Sequence, residues 1–509
     1  MKESRFVAKS ALIIVILNLG SKFLGFVRET LIAAKFGSGM ETDTFFIALA
    51  TTGLITELIR QAISTTFVPV LSEIEAKEGK KGKVIHTSNM INVIIIVSII
   101  LLILTWFISP LIVRLTAKGF EGEQFKLAVV LFKIGLFKIL FCGVIGSLTG
   151  FLHSEKRYLS AAAIGFPFNC VYIIYLIFFS GIFGIKGLMV AAVTAVLSQL
   201  IIQIPEARKA GLKYKLVFDI TDKYIKKIFY LSGPILMSVA INDVNVIIDK
   251  TLASDLVAGS ISALNYASKL NGLILGVFVS AITTVIFPLL AKESNSDNIE
   301  NLKKIMTYGV NLILLITIPA TFGLIILSKP IVRVAFERGA FTPSDTLMAS
   351  SALIFYSSGL TASSLRLLIT RVYYSLQDTK TPMINGLISV GLNIILNLIL
   401  IKFMAHTGLA FATSISTTIT TLLMFYRLKK KIGPLGTKNY IITLIKSVLA
   451  SAVMGAFAYV VYHGLYGLLG VSKLYNFISL LVAVGLSVIL YVILCYLLKI
   501  KISIYKESH

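Results

Sequence analysis

Along most of the chain, apolar residues run in long blocks broken by short clusters of Lys, Arg, Glu, Gly and Pro. About 20 apolar residues in a helix cross a ~30 Å hydrocarbon core, and only α-helices or closed barrels satisfy every backbone group inside lipid. These runs are far longer than barrel strands. The pattern predicts an all-α polytopic membrane protein with 14 transmembrane helices, over about 6–34, 41–74, 87–116, 123–152, 159–180, 186–208, 224–253, 260–291, 301–328, 345–376, 382–404, 408–428, 440–464 and 474–500. The first of these is too long for a cleaved signal peptide and is expected to stay in the protein.

Composition narrows this further. Of 509 residues, 56% are hydrophobic and 14% charged, with a mean hydropathy of +0.89. That is about half the charge of a soluble domain, which excludes a soluble enzyme, a disordered chain and a disulfide scaffold. The net charge of +24 would suggest nucleic acid in a soluble protein; here it orients helices. Basic clusters at Lys77/Lys80/Lys81/Lys83, Lys156/Arg157, Arg208 to Lys227 and Arg427/Lys429/Lys430/Lys431 follow even-numbered helices. Both termini are therefore expected in the cytoplasm. Cys142, Cys170 and Cys495 have no metal or disulfide spacing.

The chain repeats itself. Thr65-Thr-Phe-Val-Pro-Val-Leu-Ser-Glu73 at the end of helix 2 is echoed by Thr284-Val-Ile-Phe-Pro-Leu-Leu-Ala-Lys292 at the end of helix 8. The turn Phe151 to Tyr158 is echoed by Tyr373 to Lys380, and Gly187-Leu188 by Gly408-Leu409. All three offsets are close to 220 residues. Six helices per unit keep the same orientation, so the halves should be related by a pseudo-two-fold along the membrane normal. The expected domains are an N-terminal lobe at 1–222, a C-terminal lobe at 223–432, and helices 13–14 with a cytoplasmic tail at 433–509. Two such pseudo-symmetric lobes define a central cavity and a transporter that rocks about it.

Charges inside spans are costly in lipid and normally face water or a partner. Helix 1 carries Lys22, Arg28 and Glu29; helix 2 carries Asp43, Glu57 and Arg60. Lys133 and Lys138 lie on helix 4, Asp243, Asp249 and Lys250 on helix 7, Lys269 on helix 8, and Arg366 and Arg371 on helix 10. Cations outnumber carboxylates, so the economical reading is one hydrated cationic cavity, whose natural cargo is a phosphate-bearing anion. Some of these residues have a plainer alternative. Glu57 and Arg60, spaced i,i+3, either line the cavity or neutralise each other. Arg371 and Lys250 either face it or snorkel to an interface. Lys133 and Lys138 do not share a face, so one of them reads as an interfacial anchor.

A second constellation is polar without being basic. Asn242, Asn245 and Asp249 share a stripe on helix 7; Asn385, Ser389, Asn393 and Asn397 recur on helix 11; Thr413, Thr417 and Thr421 recur on helix 12. Oxygens around one carboxylate suit a Na⁺ or proton-coupling site; the alternative is interhelical hydrogen bonding. No Gly-Lys-Ser/Thr loop or soluble nucleotide domain is present, and the five His are scattered, so neither an enzyme nor a bound cofactor is expected. Uphill movement would then draw on an ion gradient or the membrane potential.

The motifs resemble a known family. Asn18-Leu-Gly-Ser-Lys-Phe-Leu-Gly-Phe-Val-Arg28-Glu29, Phe36-Gly37, Asp43-Thr-Phe-Phe46, Phe67-Val-Pro69, Gly339-Ala-Phe-Thr342 with Asp345, Gln377-Asp-Thr-Lys-Thr-Pro382 and Gly408-Leu-Ala-Phe-Ala-Thr-Ser414 are similar to the signatures of the MurJ flippases in the MOP exporter superfamily. The resemblance implies a multi-pass protein of the bacterial cytoplasmic membrane. It implies a substrate, lipid II, an undecaprenyl diphosphate carrying a disaccharide-peptide, moved from inner to outer leaflet by alternating access for cell-wall synthesis. Membrane lipids and cell-wall synthesis proteins are the further partners implied, with a monomer as the working unit. Carried over by position, Arg28, Lys22, Lys269 and Asp43 enter the substrate-binding set, with Lys22 and Lys269 standing where the family usually has arginine; Arg60 and Glu57 complete that set from their own place on helix 2. Asp249, Asn393, Asn397 and Thr413 fall at the family's Na⁺ site, with Asn397 in place of a more typical acid.

Helix 2 departs from the pattern. The family commonly has an arginine pair and Glu-Gly-Ala before Phe-Val-Pro; this chain reads Thr56-Glu57-Leu58-Ile59-Arg60-Gln61-Ala62. Arg60 either restores the lost charge from a nearby turn or the headgroup is held differently. Two transport alternatives stay open: export of another polyprenyl-diphosphate-linked glycan, and multidrug/cation antiport of the MATE type, which would favour an acidic cavity. A third alternative is a membrane scaffold for wall-synthesis enzymes, for which cavity charges would be dispensable.

Overall fold

The computed structural model describes residues 2–500 except Asp297 and Val471. The side chains of residues 2–12, Pro234, Ile235, 237–243 and Leu469 lie outside that description. Asn242 and Asp243, singled out on helix 7, are among them. Every regular element among the described residues is helical, as a chain whose backbone must satisfy itself in lipid requires.

The chain divides into two compact units, Met1–Ile261 and Ser262–His509. The first holds α1 (Lys2–Phe36), α2 (Met40–Phe107), α3 (Ser109–Thr116), α4 (Gly122–Leu136), α5 (Lys138–Ser154), α6 (Tyr158–Ala163), α7 (Gly165–Ile174), a π-helical turn (Tyr175–Phe179), α8 (Ser180–Lys209), α9 (Lys223–Ala253) and the start of α10 (Ser260–Ile274). The second continues with a π-helical turn (Leu275–Val279), α11 (Ser280–Asn295), α12 (Ile299–Ile326), α13 (Ser328–Phe336), α14 (Pro343–Ser358), α15 (Leu360–Ser375), α16 (Lys380–Ile432), α17 (Thr437–Leu469) and α18 (Lys473–Leu497). The sequence repeat turns over near residue 222, whereas packing carries the first compact unit on through α9, which lies along α2. Helices α17 and α18 pack on each other, and α17 runs along α12 within the second unit.

At 1.5 Å per residue, the 68 residues of α2 would run about 100 Å, three times a hydrocarbon core. It is two helices joined at Gly79 (φ 71°, ψ −174°). Likewise α8 is interrupted at Gly184 (φ 56°, ψ −151°) and α16 at Ala405 (φ 49°, ψ −133°). These breaks fall in the connections expected at 74–87, 180–186 and 404–408. By length and composition, eight described helices can cross a membrane, or nine if α14 and α15, bent by 46°, form one span. Three of the eight are the interrupted pairs, so 14 remains the reading from hydropathy.

The backbone carries the repeat more plainly than the side chains do. Positive φ recurs at Lys156 (58°) and Gln377 (57°), 221 residues apart, at Gly184 and Ala405, again 221 apart, and at Gly37 (68°) and Gly259 (93°), 222 apart. The helix interruption at Phe137, between α4 and α5, recurs at Gly359, between α14 and α15. Each unit has its own core. In the first, Phe67, Val70 and Leu71 of α2 pack with Phe151 and Leu152 of α5 and Ile225 and Ile228 of α9. In the second, Ile286 and Leu290 of α11, Ile305 and Ile313 of α12, and Leu368 and Val372 of α15 do the same.

Lipid tails are as apolar as leucine, so helix association here depends on close approach rather than on water exclusion. Gly143, Gly146 and Gly150 supply that approach on one face of α5. A Cβ on them would sit 2.2 Å from Ile94 Cγ2, 2.9 Å from the Arg60 carbonyl oxygen and 2.5 Å from Phe67 Cβ. This seam holds the start of α5 against the polar turns of α2.

Candidate functional site

A cavity of about 570 Å³ opens within the first unit. Its charged lining comes from three helices: Arg28 of α1, Glu57 and Arg60 of α2, and Lys138 of α5. Thr56, Cys142 and Gln199 add polar surface, and Phe168, Tyr172 and Val246 add apolar wall. Three cations face one carboxylate, so the lining favours an anion.

Arg28 is the most thoroughly held of them. Its Nη2 donates to Glu29 Oε1 at 2.8 Å and its Nη1 to Asn169 Oδ1 at 3.2 Å. The guanidinium carbon lies 5.0 Å from the Tyr172 ring centre and 5.5 Å from that of Phe168, within the range of cation–π attraction. Asn169 is itself fixed, donating to the carbonyls of Gly165 (2.8 Å) and Ser21 (3.2 Å). Gly165 makes this possible, since a Cβ there would lie 1.9 Å from Ser21 Oγ. The Arg28 fork is thus aimed before any ligand arrives.

Arg60 and Glu57 satisfy both sequence alternatives at once. They pair through two hydrogen bonds, Nε to Oε2 at 3.0 Å and Nη2 to Oε1 at 2.5 Å, and both line the cavity. Gln61 Nε2 also donates to Glu57 Oε1 at 2.5 Å. Lys138, read from sequence only as one of two intramembrane lysines, is 4% exposed and donates to Thr52 Oγ1 at 2.7 Å. Its partner in that reading, Lys133, places its ammonium 5.1 Å from the Trp106 ring.

The remaining members of the expected set are not among the residues that line this cavity. Lys22 is exposed on α1 and does not line this cavity. Lys269 is exposed on α10 in the second unit. Asp43 is buried, and its Oδ2 accepts from the Gly259 N–H at 2.7 Å while Ser38 Oγ donates to the Gly259 carbonyl at 3.0 Å. That pins the positive-φ turn ahead of α10. Lys250 donates to the Phe46 carbonyl at 3.0 Å, and Arg371 lies 5.5 Å from the Phe287 ring centre.

In the second unit the structure brings together Asn393, Asn397 and Thr413. Asn397 Nδ2 donates to Asn393 Oδ1 at 2.9 Å, and Asn393 Nδ2 to Thr413 Oγ1 at 3.2 Å. The ladder continues with Asn385 Nδ2 on the Thr420 carbonyl (3.0 Å) and Arg366 Nη1 on Ser389 Oγ (3.2 Å). Asp249 belongs to α9 of the first unit.

Outside the spans, the bend of α2 is clamped by charge. Lys83, 1% exposed, bridges Glu75 at 2.8 Å and Glu155. His86 sits between Glu78 (2.8 Å) and Asp222 (2.5 Å). The hydrogen bond from His86, then that from Tyr224, holds the Glu78 carboxyl below its usual range.

The site residues that carry no signal in the sequence include Asn169, Tyr172 and Gln199, which are neutral; Lys138 is legible there as an intramembrane cation but not as a member of the substrate-binding set.

Two helical units built on one repeat, the first with a cation-lined cavity among its spans, define a membrane transporter of the MOP type. Solved structures agree. A lipid II flippase MurJ in an inward closed conformation superposes with a TM-score of 0.80 at 28% identity, covering 96% of this chain and all of the other. A MATE-family multidrug transporter of the MOP superfamily, inward-facing, gives 0.65 at 14% identity over 83% of this chain and 99% of its own, which speaks to the fold alone. The family model for lipid II flippase MurJ matches residues 32–499, and the chain belongs to that family. Relatives described as "Probable lipid II flippase MurJ" include those of Rhizobium meliloti (32% identity; 87% of this chain, 84% of the relative) and Vibrio cholerae (31%; 83% of each).

Proposed function

We propose that this chain is a lipid II flippase of the bacterial cytoplasmic membrane. It carries the polyprenyl-diphosphate-linked disaccharide-peptide from the inner to the outer leaflet for cell-wall synthesis. Both termini lie in the cytoplasm. The observation that carries this reading is the preorganised Arg28 fork in a cavity with three cations and one carboxylate. A diphosphate is recognised by fixed guanidinium and ammonium donors through short charge-assisted bonds. A cationic drug would be repelled by the same lining, which sets the antiporter alternative aside.

Alternating access follows from the architecture of a repeat. The headgroup enters the cavity from the inner leaflet while the prenyl tail stays in lipid, alongside α17 and α18. The units then rock, and the headgroup is released outside. No bond is made or broken in the substrate, so the protein is a transporter and not an enzyme. The amide and hydroxyl oxygens of Asn393, Asn397 and Thr413 are the second unit's candidate Na⁺ or proton ligands, and the membrane potential supplies about 2.3 kcal/mol per charge per 100 mV. The working unit is one copy of the chain.

The test is the accessibility of labelled lipid II at the outer leaflet of a flippase-depleted bacterium expressing this chain. Wild type should restore both accessibility and growth; Arg28→Ala should restore neither while remaining inserted. Restored growth without accessible lipid II would favour a different polyprenyl-diphosphate glycan.

A further inference from the structure

We propose that Lys138 is a direct ligand of the substrate's diphosphate, the cation in the first unit's cavity that meets the anion without first giving up a charged partner. This assignment rests on the flippase reading above and adds a contact that helix 2 of this chain does not supply. The two arginines of the cavity are already engaged. Arg28 holds Glu29 and Asn169, and Arg60 is locked fork-to-fork on Glu57. An incoming phosphate must compete with a carboxylate at each of them.

Lys138 differs. Among the described residues no carboxylate pairs with it, and its hydrogen bond goes to a neutral hydroxyl, Thr52 Oγ1, at 2.7 Å. That hydroxyl spends its own proton on the Ala48 carbonyl at 2.8 Å, so it meets the ammonium with a lone pair. An ammonium has three donors, and two remain here. A buried charge with no counter-charge is costly, and phosphate oxygens in the cavity would supply the missing one. The position is set by backbone. Tightened bonds at Phe137, with its N–H on the Ile134 carbonyl at 3.3 Å and its carbonyl accepting from Leu140 N–H at 3.3 Å, open the helix one residue before Lys138. Gly135, at the end of α4, lets the chain approach Thr52, and Gly146 in the seam that follows lets α5 approach the Arg60 backbone. Cys142, one turn on, lines the same cavity and so reports on whatever sits beside Lys138.

The experiment uses the full chain in nanodiscs with Cys170→Ser and Cys495→Ser, leaving Cys142 as the single thiol. Its modification by a methanethiosulfonate reagent is timed with a polyprenyl diphosphate, with the matching polyprenyl alcohol, and with inorganic pyrophosphate. The polyprenyl diphosphate should slow labelling about fivefold and the alcohol should not, since charge-assisted contacts to the anion carry the binding. Protection by inorganic pyrophosphate as well assigns the seat to the diphosphate itself; protection by the lipid form alone assigns it to a diphosphate delivered on its tail. Lys138→Gln and Lys138→Met should abolish the protection and lower transport about tenfold, whereas Lys138→Arg should keep both. Methionine retains the packing, so it separates charge from shape if the glutamine variant inserts poorly. Protection undiminished in Lys138→Met would overturn the assignment and leave Lys138 as a strut to Thr52. If Arg28→Ala loses transport while Lys138→Met transports normally, this inference falls and the flippase reading stands. If wild type itself exposes no lipid II, the flippase reading falls with it.

Discussion

The two units share a skeleton and differ in chemistry. The same positive-φ turns occur at Lys156 and Gln377, and the same breaks at Gly184 and Ala405. Yet the first unit lines its cavity with charge, while the second builds its polar ladder from amides and hydroxyls with one guanidinium, Arg366. Lys138 opens the helix after the break at Phe137; Leu360, 0% exposed, opens the one after the break at Gly359. Even the ties at equivalent turns are inverted in sign. Arg157 holds Glu206 at 3.0 Å in the first unit, and Asp378 holds Lys431 at 2.6 Å in the second. The repeat preserves what the backbone needs, namely where the chain must turn at the membrane surface. The side chains facing the interior are free to differ: cations line the cavity of the first unit, and amides and hydroxyls hydrogen-bond to one another in the second, each pair worth about 0.6 kcal/mol.

This contrast can be broken in graded steps. The largest effect is expected in the first unit's cavity, where Arg60→Ala strands Glu57 beside the substrate. Transport should fall about tenfold or more, with partial rescue in the Arg60→Ala/Glu57→Gln double variant, as non-additivity of a coupled pair requires. Asn393→Ala in the second unit should leave lipid II movement near wild type at saturating sodium and shift the sodium concentration needed; a flat sodium response in both proteins would remove the ladder from coupling. Next comes Lys83→Met, which leaves Glu75 and Glu155 without their shared cation. Breaking a buried pair costs about 3–5 kcal/mol, and roughly 2 kcal/mol is expected here because the carboxylates keep 35% and 22% of their side-chain exposure.

A smaller effect tests the skeleton itself. Ala405 holds a backbone conformation (φ 49°, ψ −133°) that its repeat equivalent gives to Gly184. Non-glycine residues in such regions cost about 1–3 kcal/mol. Ala405→Gly should therefore raise the melting temperature and Gly184→Ala lower it; equal and null effects would show that neither turn is strained. The smallest effect is with pH. Glu78 is held below its ordinary 4.5, first by His86 and then by Tyr224. Burial pushes Asp378 up, but the hydrogen bonds from Lys431 and Thr381 outweigh it and hold it below 3.8. A carboxyl with a depressed folded-state pKa stabilises the fold above its unfolded pKa and loses that contribution as pH falls through the folded value. Thermal stability should thus be level from pH 7 to 5 on account of these groups and decline below about 4, less steeply in Glu78→Gln and Asp378→Asn.

The sequence alone determined that this is a helical membrane protein, that it is built from a repeat near 220 residues, and that cations outnumber carboxylates in its spans. Hydropathy, turn residues and charge are local quantities, so they survive without coordinates. Motifs such as Phe67-Val-Pro69 with its echo at Phe287-Pro288 carried the family for the same reason. Tertiary structure decided which charges meet. Arg28 and Lys138 lie more than a hundred positions apart and line one cavity, and Lys22, six residues from Arg28, does not line it. Asp43, read as a substrate contact, holds the turn at Gly259. Helical phase is known from sequence, but the neighbour presented to each face is not. That neighbour is set here by glycine contacts such as Gly143 on Ile94 and Gly165 on Ser21, where the absence of a side chain, invisible to hydropathy, fixes how closely two helices can lie.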